Sequence, residues 1–536
     1  MIKPAAIVTA MFALLAFIPF TWLAYTNRDL PQFGKYQDDG LFVIGAKSLH
    51  DGHGYRISSL PGKPFQTKYQ PLYPVLLAAL WTLNGDFPHN LEWITLLQWT
   101  IIATFLTTAY LLIRSLGFEP WKAAAMMAFL AINPWLIYWA LLPITDLLFA
   151  ALVCAVYWLL RTKPHWSWTI GFIGAAAYFT KVAGVLIVPA ILLGCLLTDR
   201  NWKRAVVICT PILAAFLSWT AWTQSHRMAS DQSIIWYYTD YLGFHVKNGG
   251  ITALPSILQS NLLAFVMTTG ESILFNLGEH MFGTYLAVVI LAAAISGTGR
   301  LIKRTQEIGY PIFCALHLSL ILCWNFSPNV RLASPLMPLV AMGLWEEGVH
   351  VAGLIRRSID SKKSGDRIIA QVFRTAVFGG LVCAAYMNVH FIFRGLPALI
   401  ESDRIALNAE RPVLEWCQKS LPANAFVLAN HDTLFHLATG LNGLRAVPNS
   451  IAFYTNDESR KLEPFNHLEA FEDRLALTHI LVTPNDFGDF EPNQREMIKH
   501  SLLSNPRHKQ VYSLNGTTVL EIERPYLNSM VSKRPD

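Results

Sequence analysis

Charge is what this chain has least of. Only 15% of its 536 residues are Asp, Glu, Lys or Arg, whereas a soluble globular domain carries roughly 25%. With 53% hydrophobic residues and a mean hydropathy of +0.35, that scarcity excludes a soluble protein and leaves a polytopic membrane protein with one appended polar region. Cysteine is sparse as well. Six of the seven (Cys154, Cys195, Cys209, Cys314, Cys323, Cys383) fall inside apolar stretches and only Cys417 lies in the polar tail, so neither a disulfide framework nor a CxxC metal site is expected. No glycine-rich phosphate loop follows a strand and no G-x-S-x-G is present, which leaves nucleotide hydrolysis and serine-type acyl transfer without sequence support. Internal repeats and low-complexity tracts are also lacking.

What is there is a series of apolar runs. A helix needs about 20 apolar residues to cross the hydrocarbon core, and scanning at that length predicts about eleven spans, near 5–25, 92–113, 122–141, 145–160, 167–180, 183–198, 205–223, 281–298, 309–326, 333–352 and 371–392. The first run follows a lone Lys3, is long for a signal core and lacks a small-x-small cleavage site, so it reads as a retained helix. Tryptophans gather near span ends (Trp22, Trp81, Trp93, Trp121, Trp166, Trp202), as amphipathic rings do at an interface. With the N-terminus in the cytoplasm, Arg114, Lys122, Arg161, Lys163, Arg200, Lys203, Arg204, Arg300, Lys303, Arg304, Arg356, Arg357, Lys362, Lys363 and Arg367 all fall on inward connections, as the positive-inside rule requires. They account for the net charge of +6 and imply no nucleic-acid partner. A single long span over 167–198 would invert the remainder and turn the later basic clusters outward.

The outward connections differ in kind. The loop 26–91 carries the acidic pair Asp38-Asp39 and closes with Lys68-Tyr69-Gln70-Pro71-Leu72-Tyr73-Pro74. Short outward turns hold Thr145-Asp146, Lys181 and Arg331, and the segment 223–280 contains Trp236-Tyr237-Tyr238. A carboxylate here can accept the proton of an attacking hydroxyl, although Asp-Asp-Gly is also ordinary turn or helix-start chemistry. Lys68 reads as a phosphate ligand or as a snorkelling lysine, and Asp146 as a group orienting a sugar hydroxyl or as a helix cap. Lys181 and Arg331 add cations, and several cations beside carboxylates on one face favour an anionic lipid substrate. His50, Asp51 and His53 lack the i, i+4 spacing of a helical zinc motif and have no third ligand nearby, so no metal is expected. From about 394 to 536 the composition changes. An amphipathic stretch, Ala398 to Leu421, precedes short β-rich runs at Phe426–Ala429, His479–Thr483, Gln510–Leu514 and Thr517–Glu523, with a helical pattern at Arg495–Leu503, which predicts a small α/β domain.

In this order the motifs resemble those of the GT-C superfamily of integral-membrane glycosyltransferases, and within it the bacterial relatives of protein O-mannosyltransferases and of lipid A aminoarabinose transferases. The resemblance rests on Asp38-Asp39 after the first span, the Lys68–Pro74 return (similar to a K/R-Y-P-P-L-Y-P pattern), Thr145-Asp146, Thr180-Lys181 and Arg331 before the proline-rich Leu332–Pro338. Gln70 stands where the family has proline, Lys181 where it often has arginine, and Asp146 where glutamate is more usual. The resemblance implies a mainly α fold: a polytopic transmembrane bundle over 1–393 and an extracytoplasmic α/β domain over 394–536. It implies an inverting transfer from a polyprenyl-phosphate-linked sugar to a glycan, lipid or protein hydroxyl, without a cofactor, in a bacterial inner membrane with the site on the outer side. Asp38, or its neighbour Asp39, would be the base, and Lys68, Tyr69, Asp146, Lys181 and Arg331 would bind substrate. A multi-pass lipid or solute transporter, with Asp38, Asp146 and Arg331 along its path, is the alternative; such sites, however, lie near the midplane between repeated halves.

Overall fold

The computed structural model describes residues 4–523 apart from 31–32, 35, 37, 198–200, 229–232, 241–242, 245–249, 275–280, 360–363, 447–460 and 489. Each of the eleven apolar runs falls on helix: Pro4–Thr26, Leu91–Ser115, Pro120–Ala131 with Pro134–Leu141, Asp146–Thr162, Ser167–Thr180, Ile187–Leu197, Trp202–His226, Met281–Thr305, Gly309–Leu322, Met337–Ile359 and Ser364–Phe393. Among the described residues five helices are long and apolar enough to cross a membrane alone, and the pair Pro120–Ala131 and Pro134–Leu141, bent by 70°, makes a sixth. The bend has a local cause. Asn133 leaves the helix, its side chain accepts from the Leu136 amide at 3.0 Å and donates to the Glu271 carbonyl at 2.7 Å, and Pro134 restarts the helix. On the first helix Ile7, Met11, Leu14, Leu15 and Ile18 are exposed, an apolar surface that suits lipid and not water. The chain is an integral membrane protein of the helical-bundle class with a small mixed sheet in its C-terminal region.

The helix ends sort into two faces. At one, Arg161 near the end of Asp146–Thr162 donates to the Ser115 carbonyl at 2.6 Å and pairs with Glu307 at 3.3 Å ahead of Gly309–Leu322. Arg304 at the end of Met281–Thr305 pairs there with Glu346 at 2.7 Å. At the other, Asp146 opens its helix, Lys181 follows Ser167–Thr180, and Arg331 precedes Met337–Ile359. The helices on either side of Lys181 are distinct: Lys181 is extended (φ −154°, ψ 135°), and a 3-10 turn, Val182–Leu186, leads into Ile187–Leu197. Two helices therefore occupy the described part of this stretch, 167–197, and the basic clusters at Arg161 and Arg304 share one face. Met281–Thr305 and Met337–Ile359 meet backbone to backbone, because a Cβ on Gly297 would overlap the Gly343 carbonyl and one on Gly343 would overlap that of Ala294.

The C-terminal sheet has the order β2-β1-β3-β5-β4, with β1 Phe426–Leu428, β2 Asn442–Leu444, β3 His479–Val482, β4 His508–Leu514 and β5 Thr517–Ile522. β1 is parallel to β2 and β3, and β5 is antiparallel to β3 and β4. The four expected β-rich runs are strands; β2 was not expected, since three residues including Gly443 are too few to show alternation. The stretch around Ala398–Leu421 is the helix Gly395–Ser420, and that around Arg495–Leu503 is Pro492–Ser504.

What positions the acidic pair is a third packing relation. The helix Asp38–His50 is buried on nearly all sides. Phe42, Val43 and Ala46 join the core of the membrane bundle, while Leu41 and Ile44 share a second core with Phe426, Leu428, Ile480 and Val482 of the sheet. Such an all-round apolar helix is stable only between two layers, and here the layers are the bundle and the C-terminal sheet.

Candidate active site

Asp38 and Asp39 are the first residues of that helix, so the helix-start reading of the sequence is correct, and both carboxylates cap it locally. The Asp39 amide donates to Asp38 Oδ1 at 3.1 Å and the Gly40 amide to Asp39 Oδ1 at 2.8 Å, where the helix dipole favours negative charge. Their side chains diverge. Asp38 pairs with the Arg331 guanidinium, whose Nη2 reaches Oδ2 and whose Nη1 lies 3.5 Å from Oδ1. Asp39 is fully buried, and burial together with the adjacent Asp38 charge pushes its carboxyl up to about 6. Gly40 has no room for a side chain, because Thr433 of the C-terminal region occupies the space a Cβ would take.

Arg331 is the hub. It sits in the short helix Val330–Ala333, which is capped by Asn329 accepting from the Leu332 amide at 3.2 Å. Its Nε donates to Asp146 Oδ2 at 2.6 Å, and the other oxygen of Asp146 takes the Lys181 ammonium. Asp38, Arg331, Asp146 and Lys181 thus form one alternating chain of charges drawn from four distant parts of the sequence. Burial works against the Arg331 charge, and Asp146 and Asp38 more than offset it, holding the guanidinium ionised. Asp146 is no ordinary helix cap, since both its oxygens are spent on cations. The fork of Arg331 also lies 5.9 Å from the Trp139 ring.

Lys68 stands apart from this chain of pairs. Its ammonium lies 3.7 Å from the Tyr237 ring centre and 5.0 Å from that of Tyr69, and burial pulls its pKa down to about 7, against the opposing pull of the Asp38 charge. The Tyr69 ring lies tilted against Phe42, centroids 4.9 Å apart, and its carbonyl accepts from Tyr55 Oη at 3.1 Å. Gln66 Oε1 accepts from the Lys68 amide at 2.9 Å, and Pro71 precedes the helix Leu72–Leu83. The loop around Lys68 is therefore fixed by backbone contacts as well as by its prolines.

Tyr237 and Tyr238 escaped the sequence reading as site residues. They lie on the short helix Ser233–Thr239, Tyr237 against Lys68 and Tyr238 donating at 3.0 Å to Asp432. Their signal was the Trp236-Tyr237-Tyr238 run itself, a dense aromatic cluster in an outward segment. Tyr36, with its hydroxyl 3.3 Å from that of Tyr138 and its ring 4.9 Å from Trp139, adds an aromatic flank near Arg331. His50 and His53 are exposed, away from these groups, and Asp51 pairs with Lys47 at 2.6 Å. Among the described residues no three His, Cys, Asp or Glu side chains gather in a metal-holding group.

No protein-family model and no curated protein sequence matches the chain. Solved structures do match in fold. ArnT from Cupriavidus metallidurans, bound to undecaprenyl phosphate, superposes with a TM-score of 0.55 at 10% identity over 96% of this chain and 97% of its own. The oligosaccharyltransferase AglB from Archaeoglobus fulgidus, in complex with an inhibitory peptide and a dolichol-phosphate, superposes with a TM-score of 0.53 at 12% identity over 97% of this chain and 74% of its own. The Archaeoglobus fulgidus oligosaccharyltransferase in its apo form gives 0.53 at 11% identity over 90% and 70%. The chain therefore shares the fold of these structures over nearly its whole length.

The coupling at the hub is measurable. Arg331→Met leaves the buried Asp146 and the half-buried Asp38 beside an apolar side chain and is expected to lower stability by about 3–5 kcal/mol. Adding Asp146→Asn to it is expected to cost less than the sum of the two single changes, because the partners interact directly. Unfolding of the purified protein in detergent reads both, and strictly additive losses contradict the coupling.

Proposed function

We propose that this chain is an inverting glycosyltransferase that moves a sugar from a polyprenyl-phosphate donor to an acceptor hydroxyl at the outer face of a bacterial inner membrane, in cell-envelope glycan, lipid A or protein glycosylation. The observation that carries the proposal is the convergence of Asp38, Arg331, Asp146 and Lys181, with Lys68 in the same loop as Asp38, at the end of the bundle opposite the basic clusters. Its fold neighbours support it, one bound to undecaprenyl phosphate and another to a dolichol-phosphate and a peptide.

The donor phosphate would enter from the lipid and bind Arg331 and Lys181, with Lys68 as a third cation. Arg331 has one fork and cannot serve a phosphate and both carboxylates fully, so the phosphate displaces Asp38 while Asp146 keeps Arg331 and Lys181 oriented. Asp38, released, takes the proton of the acceptor hydroxyl as its oxygen bonds to the anomeric carbon. The carbon–phosphate oxygen bond breaks from the opposite side, which inverts the centre, and the electron pair leaves on the lipid phosphate. The fixed cations stabilise that growing charge. Asp39, fully buried and without an ion pair to Arg331 among the described residues, holds the helix start, and Asp38, the partner of Arg331, is assigned as the base. Tyr69 backs the Lys68 loop from the aromatic side. Residues 1–393 would form the transferase bundle, and 394–536 an extracytoplasmic domain that covers the site through Thr433 and Asp432.

Asp38→Asn is expected to lower sugar transfer from undecaprenyl-phosphate donors by about 10²- to 10⁴-fold, the usual worth of a positioned base, with donor binding retained. Wild-type turnover in that variant contradicts the assignment and favours the transporter reading. Lys68 supplies a pH test. Its ammonium is half-deprotonated near pH 7, and a bound phosphate favours the charged form, so binding takes up a proton above that pH. Affinity for undecaprenyl phosphate should then fall as pH rises past about 7, by up to tenfold per unit. Lys68→Arg, which stays charged, should flatten the profile; an unchanged slope contradicts the role.

A further inference from the structure

The opposite face of the bundle holds a separate cavity of about 140 Å³. It lies roughly 22 Å from Asp146 along the helix Asp146–Thr162, at about 1.5 Å of rise per residue. Four helices build its walls: Tyr157 and Arg161 come from Asp146–Thr162, Ile191 from Ile187–Leu197, Arg204 from Trp202–His226, and Glu307 precedes Gly309–Leu322.

The charges in the cavity are unevenly spent. Glu307 is engaged on both oxygens, its charge met by Arg161 at 3.3 Å and its other oxygen accepting from the Gly309 amide at 3.0 Å. Arg204 gives Nη2 to the Leu160 carbonyl at 2.7 Å, but its buried Nε–H has no acceptor, and among the described residues no carboxylate pairs with it. Among the described residues the Tyr157 hydroxyl also finds no hydrogen-bond partner, although Tyr157 is only 4% exposed. Two unspent buried donors, one of them on the uncompensated Arg204 guanidinium, call for a ligand with several acceptor oxygens and negative charge. One wall is apolar, with Ile191 and Ile208, and just beyond it Leu196, Leu197 and Val206 are exposed, a surface that suits acyl chains better than water.

We propose that this cavity binds the headgroup phosphate of an anionic phospholipid, with its oxygens on Arg204 and Tyr157 and its chains along the exposed ends of Ile187–Leu197 and Trp202–His226. Basic pockets between helix ends on the positively charged face are where such headgroups are held. The site is remote from Asp38 and takes no part in sugar transfer, so its test stands whether or not the transferase reading does.

The test is native mass spectrometry of the purified full chain in detergent, titrated with phosphatidylglycerol, phosphatidylcholine or inorganic phosphate. One phosphatidylglycerol should be retained in preference to phosphatidylcholine, and inorganic phosphate at equal concentration should not displace it. Arg204→Gln should weaken retention by about 10- to 100-fold, the worth of a hydrogen bond to a charged group. Tyr157→Phe, which removes one oxygen and keeps the ring packed on Tyr310, should weaken it less and covers the case in which the arginine variant does not fold. Equal retention of the two lipids overturns the proposal, as does retention unchanged in the folded variants. Displacement by inorganic phosphate overturns the lipid as the source of the phosphate.

Discussion

The guanidinium of Arg331, held between Asp38 and Asp146, is the interaction on which this end of the bundle depends. A charge this buried persists only with partners, and its two partners arrive from different parts of the chain: one from the start of the helix Asp38–His50, one from the start of the helix Asp146–Thr162. Lys181 completes the balance on the far oxygen of Asp146. Two acids and two cations thus neutralise one another in a place where no single one of them would be tolerated. The same balance would make the site exchangeable, because an incoming phosphate could replace the Asp38 carboxylate on Arg331 and keep the guanidinium paired.

Geometry around Asp38 is set from outside the membrane bundle as well as within it. The helix Asp38–His50 packs on the bundle through Phe42 and Val43 and on the C-terminal sheet through Leu41 and Ile44. Thr433 fits against Gly40, and Tyr238 ties Asp432 to the helix whose neighbouring Tyr237 faces Lys68. The C-terminal region therefore packs against the helix that Asp38 opens and, through Tyr238, holds the helix whose Tyr237 meets Lys68. An acceptor arriving from the aqueous side would pass residues of this region, which makes it a natural place for acceptor selection.

Much of this was legible in the sequence, for reasons that differ by element. Apolar runs declare helices because the bilayer demands length and hydrophobicity from one continuous segment, and basic connections declare a face because charge is costly to translocate. The candidate acids and cations were legible as polar residues out of place in an apolar chain. Their pairing was not: Arg331 and Asp38 lie far apart in the chain, and no local periodicity records that they meet. Arg331 and Lys181 were expected as phosphate ligands open to substrate, whereas both are engaged by Asp146. Tyr237 over Lys68 was hidden for the same reason, and β2 because three residues around Gly443 carry no pattern.

The central claim is that a lipid phosphate takes the place of Asp38 on Arg331. Its most direct test is an experimental structure of the protein in lipid nanodiscs with undecaprenyl phosphate bound. The account predicts phosphate density against Arg331 and Lys181, with the Asp38 carboxylate released from the guanidinium and turned toward solvent. Phosphate bound elsewhere, with the pair of Asp38 and Arg331 intact, would contradict it.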